Sequence, residues 1–250
     1  MSDPTLHNVR VVMVAITKHG AKQAAALAPA LPNAHILASE KVAAELGSPS
    51  NPTRIYTGAM KDEIAAIFAN YDQLIFFVSL GVVVRMIAPY MKSKDEDPGV
   101  LVVDDAGQFV IPVLSGHVGG ANACAEQLAD LIGATPVLTT ASDVGKTIPV
   151  DILGRGLGWK LEAPKINVTR VSADVVNGEL IAFVQEAGSP HWWTRPTPLP
   201  DNIHLFADFS AVDLQRYRSV LWVTHAEIPD ATWEQLKERL VVYRPPVESL

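Results

Sequence analysis

Ser115-Gly116-His117-Val118-Gly119-Gly120-Ala121-Asn122 places a hydroxyl, an imidazole and an amide in one glycine-rich segment. It follows the apolar run from Phe109 to Leu114 and precedes Cys124, Leu128, Leu131 and Ile132, which have helical spacing. The pattern predicts strand, loop, helix. Three glycines let the backbone approach a ligand closely, and the unpaired N–H groups of a helix start attract an anion. Such a loop suits chemistry on a carboxylate-bearing molecule. His117 is the candidate acid or base, because an imidazole changes charge near neutral pH; a structural histidine is the alternative. Ser115 is a nucleophile or a hydrogen-bond donor, and the lack of a Gly-x-Ser-x-Gly elbow favours the donor. The amides of Gly119, Gly120 and Ala121 are placed to hold a carboxylate or an oxyanion. Asn122 caps the helix or touches the ligand.

Two further segments carry polar groups at the expected ends of strands. Ser79-Leu80-Gly81 leads to Arg85, which can bind a carboxylate through two hydrogen bonds or lie solvated on a helix surface. Thr139-Thr140-Ala141-Ser142-Asp143 follows another apolar stretch. Asp143 orients His117, acts as a base, or serves as a helix cap or Asx turn. The geometry expected is that Arg85, His117 and Asp143 line one cleft.

The elements that must position these groups alternate. Val11-Val12-Met13-Val14-Ala15-Ile16, residues 34–38, Arg54-Ile55-Tyr56 and residues 73–78 read as strands; Ala24, Leu27, Ala28 and Leu31, then Ile64, Ile67, Phe68 and Tyr71, have helical spacing. Val100-Leu101-Val102-Val103 and Phe109-Val110-Ile111-Pro112-Val113 flank Asp104-Asp105-Ala106-Gly107-Gln108, which predicts a hairpin with both aspartates as turn residues. Gly133 is a predicted C-cap, and Pro136-Val137-Leu138 a short strand. The fold class expected is α/β. A parallel-sheet three-layer domain with an inserted hairpin covers residues 1–162, with residues 148–157 helical, and a smaller α/β (α+β) domain covers 163–250. In the latter, residues 168–176 and 231–239 read as helices, and 180–184, 203–206, 220–224 and 240–243 as strands. Trp192-Trp193 is an aromatic lid or packs a loop.

Composition narrows the function classes. The chain has 250 residues, 48% hydrophobic and 19% charged, with net charge -7. No dense Lys/Arg run exists, which argues against nucleic acid as a partner. No apolar run is long enough to span a membrane, and Met1-Ser2-Asp3-Pro4 does not read as a secretory signal. One cysteine, Cys124, reads as core and fits a reducing compartment, with the cytoplasm expected. Seven histidines, His7 among them, show no HxxxH or HExxH spacing, so no resident metal is expected; neither a dinucleotide fingerprint nor a P-loop is present. Lys92 and Lys94 read as solvated residues.

Gly81-Val82-Val83-Val84-Arg85-Met86-Ile87-Ala88-Pro89, Lys94, Asp97-Pro98, Val102-Val103-Asp104, the loop from Ser115 to Asn122, and Thr139-Thr140-Ala141-Ser142-Asp143 occur in an order that resembles the cobalamin-biosynthesis CbiG family. The resemblance implies a cobalt-precorrin-5A hydrolase, which opens a lactone on a cobalt-corrinoid substrate and releases a two-carbon fragment as acetaldehyde to give cobalt-precorrin-5B. It implies His117, Asp143 and Ser115 as catalytic residues. It implies Gly81, Arg85, Gly116, Gly119, Gly120, Asn122, Thr139 and Thr140 as substrate contacts. No cofactor is implied beyond the cobalt carried by the substrate. Family members continue past a segment like Val241-Val242-Tyr243-Arg244-Pro245-Pro246 into a C-terminal domain. The alternatives are therefore half of a split hydrolase with a separate C-terminal-domain partner, or a non-catalytic corrinoid-binding scaffold working with other B12-pathway enzymes. A homodimer is a further expectation.

Overall fold

A computed structural model describes residues 9–247. His7 and residues 1–4, read above from the sequence, lie outside that range. The chain divides into two compact units, with the boundary between Leu138 and Thr139.

The first unit runs β1 (Val11–Ala15), α1 (Lys18–Leu27), β2 (His35–Ser39), a 3-10 segment (Glu40–Leu46), β3 (Thr53–Tyr56), α2 (Ile64–Asn70), β4 (Gln73–Phe77), α3 (Leu80–Ile87), β5 (Gly99–Val103), β6 (Phe109–Leu114), α4 (Ala121–Ile132) and β7 (Thr135–Pro136). The sheet order is β3-β2-β1-β4-β5-β6-β7. The first five of these strands are parallel; β6 pairs antiparallel with β5, and β7 pairs parallel with β6. Successive residues of β1 and β4 enter opposite cores. Met13, Ala15, Ile75 and Phe77 meet α1 and α4 on one face, while Val12, Val14, Leu74 and Phe76 meet α2 and α3 on the other. Burial on both faces is why these strands read as unbroken apolar runs.

Asp104 closes the predicted hairpin. Its Oδ1 accepts from the amides of Gln108 at 2.7 Å and Phe109 at 2.6 Å. Gly133 ends α4 in the left-handed region, as the sequence predicts. Cys124 is buried in α4, and burial pushes its thiol up to about 12. At pH 8 roughly one such thiol in 10⁴ is ionised. Iodoacetamide is expected to spare Cys124 in the folded protein and to label it in urea. Rapid labelling of the native protein at pH 8 would contradict the packing of α4.

The second unit contains α5 (Ala141–Val144), β8 (Lys160–Glu162), α6 (Lys165–Val176), β9 (Ile181–Gln185), β10 (Ile203–Phe206), β11 (Ser219–Val223), α7 (Asp230–Gln235) and β12 (Leu240–Arg244). Its sheet order is β10-β9-β11-β12-β8, with only β8 antiparallel. Residues 148–157 are turns with a short 3-10 segment, Arg155–Leu157, rather than a helix. Pro149 and the glycines at 154, 156 and 158 disfavour a continuous helix. Ile148, Val150, Leu153 and Trp159 pack with α6, β9, β11 and β12, and the Tyr243 hydroxyl donates to Val150 O at 2.7 Å. Residues 139–162 therefore belong to the second unit, whereas the strand–helix alternation groups them with the first. Helix α7 stops short of the expected residue 239: Leu236 already leaves helical geometry at φ -101, ψ 27, and Glu238 takes φ +65.

Candidate functional site

From β1 the chain moves to β2 and β3 on one side, then returns across β1 to β4. The order reverses between β1 and β4, and α1 and α3 leave toward opposite faces there. Open α/β sheets bind ligands in the crevice outside such a reversal, at the carboxyl ends of the strands.

Thr17 caps α1, its hydroxyl accepting from Gly20 N at 3.0 Å. The next turn carries His19, whose Nδ1 lies 2.7 Å from Asp105 Oδ2 at the hairpin tip. Thr17 Oγ1 donates to Asp105 Oδ1 at 3.4 Å. Gln23 Nε2 donates to the carbonyls of Asp104 at 3.1 Å and Asp105 at 2.9 Å, anchoring the tip to α1. An ionised Asp105 fixes the proton on His19 Nδ1 and leaves Nε2 as the acceptor. This is the geometry of an oriented base.

After β4, α3 begins without a side-chain cap from Ser79. It buries Val83 and Ile87 but exposes Leu80 (40%) and Val84 (43%) on one face, one turn apart, and Val82 (38%) on the opposite side. Arg85 is exposed and folds back to donate from Nη1 to Gly81 O at 3.2 Å. A guanidinium held so loosely can turn to a carboxylate.

The glycine-rich loop lies at the other end of the sheet. Leu114 pairs with Val100, near the start of β5, because β6 runs antiparallel to β5. Gln73, the first residue of β4, donates from Nε2 to Gly119 O at 2.5 Å. Ser115, Gly116, His117, Gly119, Gly120 and Asn122 are thus together, but at the amino ends of β4 and β5, whereas Gly81 follows the carboxyl end of β4. The anion cradle expected of this loop is largely spent internally. Gly120 N donates to His117 O at 2.9 Å, Ala121 N to Ser115 O at 3.2 Å and Asn122 N to Gly116 O at 3.0 Å. Ser115 takes φ +55, and its Oγ is buried without a hydrogen bond. A Cβ on Gly119 would lie 2.4 Å from Ser115 Cβ, so close packing of the loop itself requires that glycine.

Thr139, Thr140 and Asp143 belong to the second unit. Thr140 is the N-cap residue of α5, without a side-chain cap bond, and Asp143 lies inside that helix. Arg195 Nη2 donates to Asp143 Oδ1 at 2.7 Å. Trp192 stacks on Phe183 at 4.2 Å, and Trp193 Nε1 donates to Thr197 O at 2.7 Å, so both tryptophans pack the loop of residues 188–200. Among the described residues no helix is long and apolar enough to cross a membrane. His19 and Asp105 are the pair that the sequence pattern misses. They are separated by 86 positions, and the only signal is that His19 follows a buried strand.

These features define a two-unit α/β protein whose first sheet is doubly wound and carries polar groups near its reversal point. Residues 62–143 match the family model for the cobalamin synthesis G N-terminal region, and residues 148–245 match that for the cobalamin biosynthesis central region. The chain belongs to the CbiG family through these two regions. It is 42% identical over 239 residues to the cobalt-precorrin-5A hydrolase of Priestia megaterium, covering 95% of this chain and 63% of that protein. It is 38% identical over 138 residues to the enzyme of the same name from Salmonella typhimurium, covering 55% of this chain and 37% of that one. The chain thus spans less than two thirds of the length of these relatives. A solved structure of a cobalamin biosynthesis protein G homolog from Sulfolobus solfataricus aligns with TM-score 0.49 and 21% identity, covering 96% of this chain and 62% of that one.

Proposed function

We propose that this chain hydrolyses cobalt-precorrin-5A, opening its lactone and releasing the two-carbon fragment as acetaldehyde. The observation that carries this reading is the 42% identity to a cobalt-precorrin-5A hydrolase, which runs through both units. The segments that leave the carboxyl ends of β1 and β4 carry groups the reaction needs. The macrocycle is apolar and edged with carboxylates; Leu80 and Val84, one helical turn apart, offer exposed apolar contacts, and Arg85 a carboxylate partner.

His19 Nε2 accepts a proton from the water that attacks the lactone carbonyl, and Asp105 stabilises the imidazolium that results. The acyl–oxygen bond breaks, leaving a carboxylate and an alcohol. Loss of the alcohol proton then drives cleavage of the carbon–carbon bond. Acetaldehyde departs, and the electron pair left on the macrocycle takes up a proton. The cobalt is part of the substrate. His117, on its loop at the far end of the sheet, is the competing proton carrier.

A second reading is a split hydrolase whose activity needs the part of the Priestia relative that lies outside the aligned 63%. Anaerobic incubation with cobalt-precorrin-5A, with acetaldehyde assayed, tests both. Release by this chain alone supports hydrolysis here. Release only after adding the remaining third of the Priestia protein supports the split form. Binding without acetaldehyde in either case removes the hydrolase reading and leaves a scaffold.

A further inference from the structure

The second sheet reverses as well. From β9 the chain goes to β10 on one side and returns across β9 to β11 on the other. The segments that follow β9, β11 and β12 contribute Gly188 and Ser189, His225, and Pro245 and Pro246 to one cavity of about 330 Å³. Trp159, just before β8, forms another part of its wall. This is the ligand position the topology of such sheets predicts, at the lower end of the roughly 300–1,000 Å³ range of small-molecule pockets.

The walls are held in place from behind. Gln185 Nε2 donates to Ser189 O at 2.8 Å, and Gln185 Oε1 accepts from Trp192 Nε1 at 2.9 Å. Arg244 Nη1 donates to Thr224 O at 3.1 Å and Ala226 O at 2.5 Å, fixing the residues on either side of His225. Ser189 Oγ accepts from His191 N at 3.2 Å, which leaves its own proton to donate. A Cβ on Gly188 would lie 2.8 Å from Pro245 Cγ and 3.0 Å from Trp159 Cζ2, so a larger residue would crowd the cavity.

Among the described residues the lining has an indole edge, two prolines, one imidazole and one hydroxyl, with no Lys, Arg, Asp or Glu. It lacks the cations of a phosphate clamp and the carboxylates that would hold an amine. It fits a flat apolar ring bearing one acceptor. The volume admits one ring and its side arm, not a whole macrocycle.

We infer that this crevice binds one edge of a tetrapyrrole. One pyrrole-derived ring lies against Trp159, Pro245 and Pro246, and its carboxylate arm accepts hydrogen bonds from His225 and Ser189. The inference rests on the hydrolase reading for the identity of the macrocycle and goes beyond it by assigning a binding site to the central region.

Cobyrinic acid, a cobalt corrinoid with ionised carboxylate arms, and its heptamethyl ester are the probes, with affinity read by titration calorimetry. The unsubstituted protein is expected to bind the acid at least tenfold more tightly than the ester. His225→Ala and Ser189→Ala should each weaken binding of the acid about tenfold, and His225→Gln should recover part of the loss. His225 is exposed, so its replacement should leave the melting temperature unchanged. No binding of the acid, equal binding of the ester, or variants within twofold of the unsubstituted protein would overturn the inference. The acetaldehyde assay separates this failure from failure of the hydrolase reading. Acetaldehyde release with unaltered corrinoid binding in His225→Ala removes the crevice alone. Weakened binding in the variants without acetaldehyde from any form removes the hydrolase reading alone.

Discussion

His19→Ala is expected to lower kcat for acetaldehyde release by about 10²–10⁴-fold, the usual range for removal of a general acid or base, with KM almost unchanged. His117→Ala should leave kcat within about threefold. The contrast follows from placement. His19 stands at the reversal point of the sheet with Asp105 on Nδ1, whereas His117 stands in a loop whose neighbouring amides donate to its own carbonyls. Asp105→Asn should give a smaller loss than His19→Ala, because an amide oxygen still accepts from Nδ1–H but no longer balances the imidazolium charge. Unfolding is not a competing explanation. The His19 and Asp105 side chains are 68% and 61% exposed, and exposed pairs contribute at most about 1 kcal/mol. The measurement is steady-state kinetics with far-UV circular dichroism as the control. Full activity in His19→Ala, with activity lost in His117→Ala, would move the chemistry to the glycine-rich loop.

Much of the fold is legible in the sequence because its signals are local. Strands buried on both faces read as apolar runs, Gly133 marks the end of α4, and Asp104 with Gly107 marks the hairpin. What the sequence misses depends on distant partners. Strand β8 has three exposed residues and exists only because β12 offers an edge. Residues 148–159 fall between two patterns, and only their side chains' entry into the second core assigns them.

The site is harder to read than the fold for the same reason. The loop at 115–122 has the composition of a ligand loop, yet its polarity relative to the sheet depends on β6 running antiparallel to β5, which reverses which end it occupies. The hairpin pattern itself implies that reversal, whereas the composition of the loop alone groups it with the carboxyl-end segments. Asp105, by contrast, looks like an ordinary turn residue until α1 brings His19 to it.

Gly154→Ala is expected to destabilise the second unit by about 3 kcal/mol, the sum of two separable costs. Gly154 takes φ +70, where an L-residue loses roughly 1–2 kcal/mol. A Cβ there would also lie 2.2 Å from Cε3 of Trp159, a rigid ring packed in the core and unable to swing aside as a flexible chain end would. Such overpacking typically adds about 1–3 kcal/mol. Gly178→Ala isolates the first cost, because Gly178 takes φ +76 with nothing within 4 Å of its Cβ position. Urea unfolding should therefore show a loss of about 1 kcal/mol for Gly178→Ala and about 3 kcal/mol for Gly154→Ala. Hydrogen exchange should quicken at the amides of β9, β11 and β12 in the latter. Equal losses in the two variants would mean that Trp159 does not lie against residue 154. The packing that draws residues 148–159 into the second core, and the tryptophan wall of its crevice, would then both be wrong.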